Sequence, residues 1–224
     1  MSGASSAPFS RMNAMFRNRI AVALCAVLAA CCAAAHATTK GLNQIVTPDI
    51  QPEGVLSVSL QQQDPNIGNR YEIQAEYGFS RTTEAALFKG FKPNEYILGF
   101  EQGLVDKGPW LLSTGFTGWS TRGSGYAPAP FLVGGYYKGA SKFVLGVTRN
   151  QGETQGFGGY AYGVSERLQV QTDYQSGGDN ALTAGFTYTI TPQLSFNQSL
   201  YYENGQPHHL WGYAVLSYNI QIAK

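Results

Sequence analysis

Residues 181–202 carry the strongest structural signal in the chain, because apolar and polar residues alternate there with a period of two. Over 182–190 the even-numbered residues are apolar and the odd-numbered residues are Thr or Gly. After a break at 191–193 the alternation resumes at Leu194 with the same parity. Successive side chains of a strand point to opposite faces. The segment therefore predicts an antiparallel hairpin with one apolar face and one polar face.

The same alternation recurs along most of the chain, in short runs separated by Gly, Pro, Asn and Asp. It predicts about twelve strands, near 54–63, 69–80, 82–90, 94–105, 109–119, 129–138, 141–149, 153–163, 166–175, 180–191, 193–203 and 208–221. The spacing suits the 9 to 11 residues of a tilted membrane-spanning strand. The third, sixth, eighth and twelfth runs have no clear phase, so ten strands is the alternative.

In the second run, charged residues lie on the polar face and not on the apolar face. Tyr71 and Ile73 share one face of this run, whereas Glu72 and Glu76 share the other. In the other well-phased runs, too, charged residues avoid the apolar side. This pattern suits either a soluble sheet or a barrel with lipid outside, where Arg or Lys at the bilayer centre costs about 2–4 kcal/mol.

The N-terminus has the features of a secretory signal peptide. Arg11, Arg17 and Arg19 precede an apolar run over 20–35, and a small-x-small cleavage site ends at Ala37. We therefore expect residues 1–37 to be a leader. The alternative is a retained membrane anchor, for which the run is short and rich in alanine.

Two further questions about this leader stay open. Translation from Met12 or Met15 would give a leader of more usual length. Residues 28–31 also resemble a lipobox, which would make Cys31 a lipidated N-terminus. All three cysteines precede residue 38, so cleavage after Ala37 leaves a chain with no thiol.

The remaining sequence predicts one domain without a nucleic-acid footprint. Residues 38–53 contain two prolines and no sustained period, so we expect an extended periplasmic lead-in to a barrel over 54–222. Without the leader, 12 Lys and Arg remain against 14 Asp and Glu, a formal net charge of −2. Nucleic-acid binding would need a basic stripe. Only 13% of residues are charged, about half the usual fraction.

Three predicted turns share a sequence pattern that indicates a common end of a barrel. Each has Tyr, one residue, a hydrophobic residue and then Ser or Thr, starting at Tyr77, Tyr162 and Tyr188. The alternative is that any hairpin protein reuses turn chemistry. No loop is long enough to form a substantial folded plug.

Together, the leader, the cysteine-free remainder, the twelve dyad-repeat runs and these turns resemble a Gram-negative outer-membrane β-barrel, porin-like, of no specific family. The resemblance implies an all-β fold, a single antiparallel up-and-down transmembrane barrel in the cell outer membrane. It implies outer-membrane lipid and the barrel-assembly machinery as partners, and a small passive channel for small polar solutes. One departure is that such barrels commonly end on an aromatic residue, whereas Tyr218 here is followed by six more residues.

Parity assigns side chains to the two faces of this barrel. Expected to line the lumen are Arg70, Glu72, Gln74, Glu76, Glu101, Lys142, Gln169, Gln171, Asp173, Thr187 and Asn197. Expected to face lipid are Tyr71, Ile73, Phe100, Leu145, Val170, Phe186, Tyr188, Leu194 and Phe196. The lumenal charges would either set pore selectivity or pair with one another.

Two other functions are the alternatives. A secreted soluble barrel would hold a ligand in an internal apolar cavity, with its polar face outside. An outer-membrane hydrolase would pair His208 or His209 with Ser199 or Ser217, although the chain has no Gly-x-Ser-x-Gly element. Trp110, Trp119 and Trp211 suit sugar stacking or, more commonly, an interfacial girdle. We expect no catalytic residue, no cofactor and no metal site.

Overall fold

The computed structural model describes residues 41–66, 68–92, 94–121 and 127–222. They form twelve strands: β1 Val55–Gln63, β2 Tyr71–Ser80, β3 Thr83–Phe91, β4 Asn94–Lys107, β5 Trp110–Ser120, β6 Ala129–Lys138, β7 Ser141–Asn150, β8 Glu153–Gly163, β9 Leu168–Gln175, β10 Ala181–Thr189, β11 Leu194–Glu203 and β12 Leu210–Gln221. Each lies within a few residues of a predicted run. The all-β prediction with twelve strands is confirmed, and the ten-strand alternative is excluded. The predicted leader and residues 38–40 lie outside the described residues.

The strands form one closed antiparallel barrel in which each strand pairs with its neighbours in sequence. The first and last strands close it, with a register that runs from Val55 opposite Gln221 to Gln63 opposite Tyr213. Closure leaves no strand edge with unpaired backbone groups. No helix within the described ranges is long and apolar enough to cross a bilayer.

The two ends of the barrel differ in the length of their connections. Short links at 81–82, 108–109, 139–140, 164–167 and 190–193 define what we call the turn end. The longest links, at 64–70, 121–128, 176–180 and 204–209, lie at the opposite end, the loop end, together with two-residue links at 92–93 and 151–152. The three turns with the shared tyrosine pattern all fall at the turn end. β1 also begins there and β12 also ends there.

The period of two corresponds to the inner and outer faces of the barrel, apart from register shifts near Gly78, Gly99 and Leu104. In β10, Ala181, Thr183 and Thr187 are buried inside the barrel, while Leu182 and Tyr188 are exposed outside it. The same parity orders the runs whose phase was unclear from sequence. In β6 and β8 the inward residues include Phe131 and Phe157, which are apolar and buried, and this explains why those runs showed no polar face.

The N-terminal segment differs from its sequence-based expectation. We expected residues 38–53 to be an extended lead-in on the periplasmic side. Instead, Leu42, Asn43, Ile45, Thr47 and Gln51 are all buried, because the chain runs inside the barrel until Pro52 and Glu53, which are exposed. We call residues 41–53 the lumenal segment.

The apolar outer wall predicts a depth-dependent cost for introduced charge. Leu145 lies at the middle of β7 and is 75% exposed on the outer face. Leu145→Arg should lower the free energy of unfolding from phospholipid vesicles by about 2–4 kcal/mol, because Arg would lie near the bilayer midplane. Denaturant titration of the vesicle-embedded protein measures this value. Ala140→Arg, in an exposed turn, is the control and should cost little; equal effects of the two variants would contradict a lipid-facing β7.

Candidate functional site: the lumen and the segment within it

The inner wall of the barrel is largely polar and carries six buried carboxylates. Of the residues expected in the lumen, seven are buried on the inner face: Glu72, Glu76, Glu101, Gln171, Asp173, Thr187 and Asn197. Three more are half-buried on inward positions: Gln74, Lys142 and Gln169. Arg70 does not join them. It precedes the first residue of β2, is exposed, and places its guanidinium 5.5 Å from the ring centre of Tyr71.

The residues expected to face lipid all lie on the outer face. Six are exposed: Tyr71, Ile73, Phe100, Leu145, Val170 and Tyr188. Phe186, Leu194 and Phe196 are half-buried. The rings of Phe186 and Phe196 meet edge to face across β10 and β11, with centroids 6.3 Å apart, so part of their surface is covered by each other.

Two lumenal carboxylates were missed from the sequence. Glu84 lies in the third run, whose phase was unclear, and Glu95 is the second residue of β4; both are buried. The parity of the paired neighbours was the signal that could have found them, because Glu84 lies opposite Glu101. Among the described strand residues, Lys142 is the one Lys or Arg on an inward position, against six buried inward carboxylates.

Most of these carboxylates accept hydrogen bonds from the wall itself. Glu101 accepts one from the Ser113 hydroxyl at 2.5 Å. Glu95 accepts from the Ser120 hydroxyl at 2.6 Å and from the Asn69 side-chain amide. A buried charge needs such donors, because its removal from water is costly without them. The wall therefore supplies hydrogen-bond donors to four of its six buried carboxylates.

Asp173 instead holds the lumenal segment. Its Oδ2 accepts the backbone N–H of Asn43 at 2.6 Å and that of Gln44 at 3.2 Å. The Asn43 side chain donates to the Thr183 hydroxyl at 2.9 Å, and the Tyr201 hydroxyl donates to the Asn43 carbonyl at 2.5 Å. One residue of the segment is thus bound by β9, β10 and β11 together.

Further contacts fix the segment along the length of the barrel. Near the loop end, the Gln44 side-chain amide pairs with the backbone of Ala181, at 3.0 and 3.1 Å. Toward the turn end, the Tyr137 hydroxyl donates to Asp49 at 2.7 Å, and the Gln51 backbone N–H donates to Glu84 at 2.5 Å. The segment therefore passes from one end of the lumen toward the other.

An apolar cluster packs the same segment against one side of the wall. Leu42 and Ile45 are buried against inward residues of β6, β7 and β8. Those residues are Phe131, Val133, Val144, Phe157 and Ala161. Their apolar character at inward positions follows from this contact, because without the segment they would face the lumen.

Inward glycines leave room for the segment. A methyl group at Gly159 would overlap Leu42 Cδ1, and one at Gly78 would overlap the carbonyl oxygens of Gln51 and Pro52. At Gly135 a methyl group would lie 2.8 Å from Pro48 Cγ. Any larger residue at these positions would displace the segment or the wall.

Among the described residues, two spaces of about 300 Å³ each lie beside the segment. The larger, about 310 Å³, is bounded by residues 41–46 and, on the wall, by inward residues that include Gln61, Glu76, Glu84 and Glu101. The other, about 300 Å³, lies near the loop end against Gln44, Asn180 and Trp211. Trp211 therefore lines the lumen mouth and does not belong to an outer girdle.

The histidines do not contact the serines considered for a hydrolase. His209 Nδ1 lies 2.7 Å from Glu203 Oε2, and His208 Nδ1 lies 2.8 Å from the Glu203 carbonyl. Ser217 shares a hydrogen bond with Ser59 at 2.7 Å. Within the described part of the chain, no group of three His, Cys, Asp or Glu could hold a metal ion.

Comparisons with known proteins support the fold. No protein-family model and no curated protein matches the chain. The KdgM porin is 9% identical, with a TM-score of 0.53 over 75% of this chain and 99% of that protein. The KdgM porin in complex with disordered oligogalacturonate gives 8% identity and a TM-score of 0.50 at the same coverage. The NanC porin is 14% identical, with a TM-score of 0.49 over 74% of this chain and 98% of that one.

The similarity to the KdgM porin shows that the chain has the fold of an outer-membrane porin. The resemblance drawn from the sequence is thus confirmed at the level of the fold.

The glycine at position 159 gives a direct test of how the lumenal segment is seated. Gly159→Leu should expel Leu42 from its contact, so backbone amides of residues 42–45 should exchange with deuterium faster. Hydrogen-exchange mass spectrometry of the detergent-solubilised protein measures this rate. Gly156→Leu is the matched control on β8, because a methyl group there meets nothing within 4 Å. Unchanged protection in Gly159→Leu would show that the segment does not rest on β8.

Proposed function

We propose that this protein is a passive outer-membrane channel for small polar solutes. The observation that carries the proposal is the inverted distribution of side chains in a closed twelve-strand barrel. Exposed Leu, Phe, Tyr and Val residues cover the outside, whereas Glu, Asp, Gln, Ser and Asn line the inside. That arrangement suits lipid outside and water inside. A barrel of twelve strands also has more interior than its own side chains readily fill.

A soluble binding barrel is not favoured by this arrangement. Such a barrel would place its apolar face around an internal cavity and its polar face in water. Here the buried interior holds six carboxylates, and the exposed outside carries residues such as Leu145 and Trp110. The apolar cluster inside the barrel is filled by the chain's own Leu42 and Ile45.

The charge of the lining points to the class of solute. The KdgM porin was solved with oligogalacturonate, an acidic polymer. The inner wall of the present chain carries carboxylates at Glu72, Glu95 and Asp173, among others, and Lys142 is its inward cation in the described strands. Rings of acidic side chains favour cations in a pore. The proposed solutes are therefore cationic or neutral, and polyanions would be repelled.

A hydrolase has less support. Both histidines are exposed in the 204–209 loop, where their rings stack on Tyr202 and Trp211. Catalysis by a serine would need a histidine within hydrogen-bond reach of the hydroxyl, and Ser217 is bonded to Ser59 instead.

Planar-bilayer recording tests the channel itself. Protein purified from outer membranes, or refolded into vesicles, should insert and give discrete conductance steps, because water can follow the polar lumen. A heat-modifiable mobility in gel electrophoresis shows that the inserted protein is folded. Folded protein that gives no steps at any voltage, with or without the lumenal segment, would contradict a channel.

Ion selectivity tests the proposed solute class. In a KCl gradient the reversal potential should show a preference for K⁺ over Cl⁻, because the lumenal lining is acidic. Glu101→Gln removes one carboxylate that borders the larger space and should move the potential toward the non-selective value. Glu153→Gln, at an exposed strand end, is the control and should leave the potential unchanged. A preference for Cl⁻ in the wild-type protein would overturn the assignment.

A further inference from the structure

We propose that the lumenal segment is the constriction of this channel. In its bound position the segment narrows the lumen and leaves the larger open space mainly next to β1–β5, and its withdrawal widens the path. This inference rests on the proposed channel function. It assigns a role to residues 41–53, which otherwise belong to no strand.

The residues that bind the lumenal segment are distant from it in sequence. Residue 43 is bound by side chains about 130 to 158 positions away, on three strands. Gln51, at the other end of the segment, is bound by Glu84 on β3. Hydrogen bonds from opposite parts of the wall hold the segment across the lumen. A segment that only trailed from β1 would have no such partners.

The inner wall is shaped to fit the segment. Most buried apolar residues on inward positions of β6 to β8 pack in one cluster with Leu42 and Ile45, and inward glycines at 78, 135 and 159 leave space where the segment passes. Apolar residues lining a water-filled lumen would be unfavourable, since burial of apolar area is the driving term. The wall is thus shaped for the segment at several separate places.

The larger open space lies on one side of the lumenal segment. The larger space has residues 41–46 on one side. Its opposite wall comes mainly from β1 to β5 and carries Glu76, Glu84 and Glu101. The segment packs against β6 to β8 through its apolar cluster. It binds β9 to β11 through the hydrogen bonds of Asn43. The larger space left for solutes therefore lies between the segment and a wall that carries three carboxylates.

Withdrawal of the segment would break no strand of the barrel. The first ladder pair of β1 is Val55 with Gln221, and before it Glu53 forms a single bridge with Gly78. In the described part of the chain, residues 43–51 are held by hydrogen bonds to side chains, by the pairing with Ala181 and by packing, and they take part in no strand ladder. The barrel can stay closed while the segment leaves its seat.

Single-channel recording on three variants of the full chain tests this inference. Asp173→Ala with Tyr201→Phe removes three hydrogen bonds to Asn43 and Gln44, and should give a several-fold larger unitary conductance than wild type. Deletion of residues 41–50 should give a similar increase. Asn43→Cys with Thr183→Cys joins two side chains already in contact, so the oxidised protein should stay at or below the wild-type conductance. Reduction of this disulfide with dithiothreitol should raise the conductance above that of the oxidised protein.

The matched control is Glu72→Ala with Tyr213→Phe. It also removes one lumenal carboxylate and one lumenal hydroxyl, but these groups bond to Gln61 and not to the segment. This variant leaves the contacts of the segment in place, so it should not show the several-fold increase, and the loss of one lumenal charge should if anything lower the conductance to cations. The mass of the purified protein establishes whether Cys25, Cys31 and Cys32 are absent, so that the engineered disulfide has no competitor.

The outcomes separate the two proposals. If wild type and the loosened, deleted and stapled variants all conduct equally, the segment is not a constriction and the channel function stands. If the deletion or the loosened variant conducts more and the oxidised staple does not, the inference holds. If none of the folded proteins conducts, the channel function fails, and the constriction fails with it.

Discussion

Closure of the backbone ladder between β1 and β12 is the constraint on which this structure depends. In a bilayer each backbone N–H and C=O must find its partner within the protein, which only helices and closed barrels achieve. The register from Val55 opposite Gln221 to Gln63 opposite Tyr213 meets that requirement. With the backbone satisfied, the alternation of side chains alone decides which residues meet lipid and which line the interior.

The number of strands then creates a second requirement. Twelve strands enclose more volume than their inward side chains readily fill, and the inward side chains of β9 to β12 include small ones such as Ser195, Ser199 and Ser217. The lumenal segment occupies part of that volume. It brings Leu42 and Ile45 to the apolar side of the wall and its backbone N–H groups to Asp173. The segment therefore fills part of the interior that the side chains of twelve strands leave open.

The sequence could predict the wall but not its filling. In β2, β10 and β11 a period of two was enough to find each strand and its faces. In β6 and β8 it was not, because inward residues such as Phe131 and Phe157 are apolar to contact the segment. Parity also gave Arg70 an inward face, although β2 starts only at Tyr71. Residues 41–53 have no period, because each makes a different contact, so no local pattern could reveal that they lie inside.

The lumenal carboxylates have two different roles, and the sequence alone could not show which residue has which role. Asp173 accepts hydrogen bonds from two backbone N–H groups of the segment, so its carboxylate holds the segment in place. Glu101 is held by Ser113 within the wall and borders the space that stays open. Strands β6 to β11 thus hold residues 42–45 of the segment, whereas β1 to β5 border most of the larger open space. Because the segment and the acidic wall bound the same space, the width of the path and its charge preference should depend on each other.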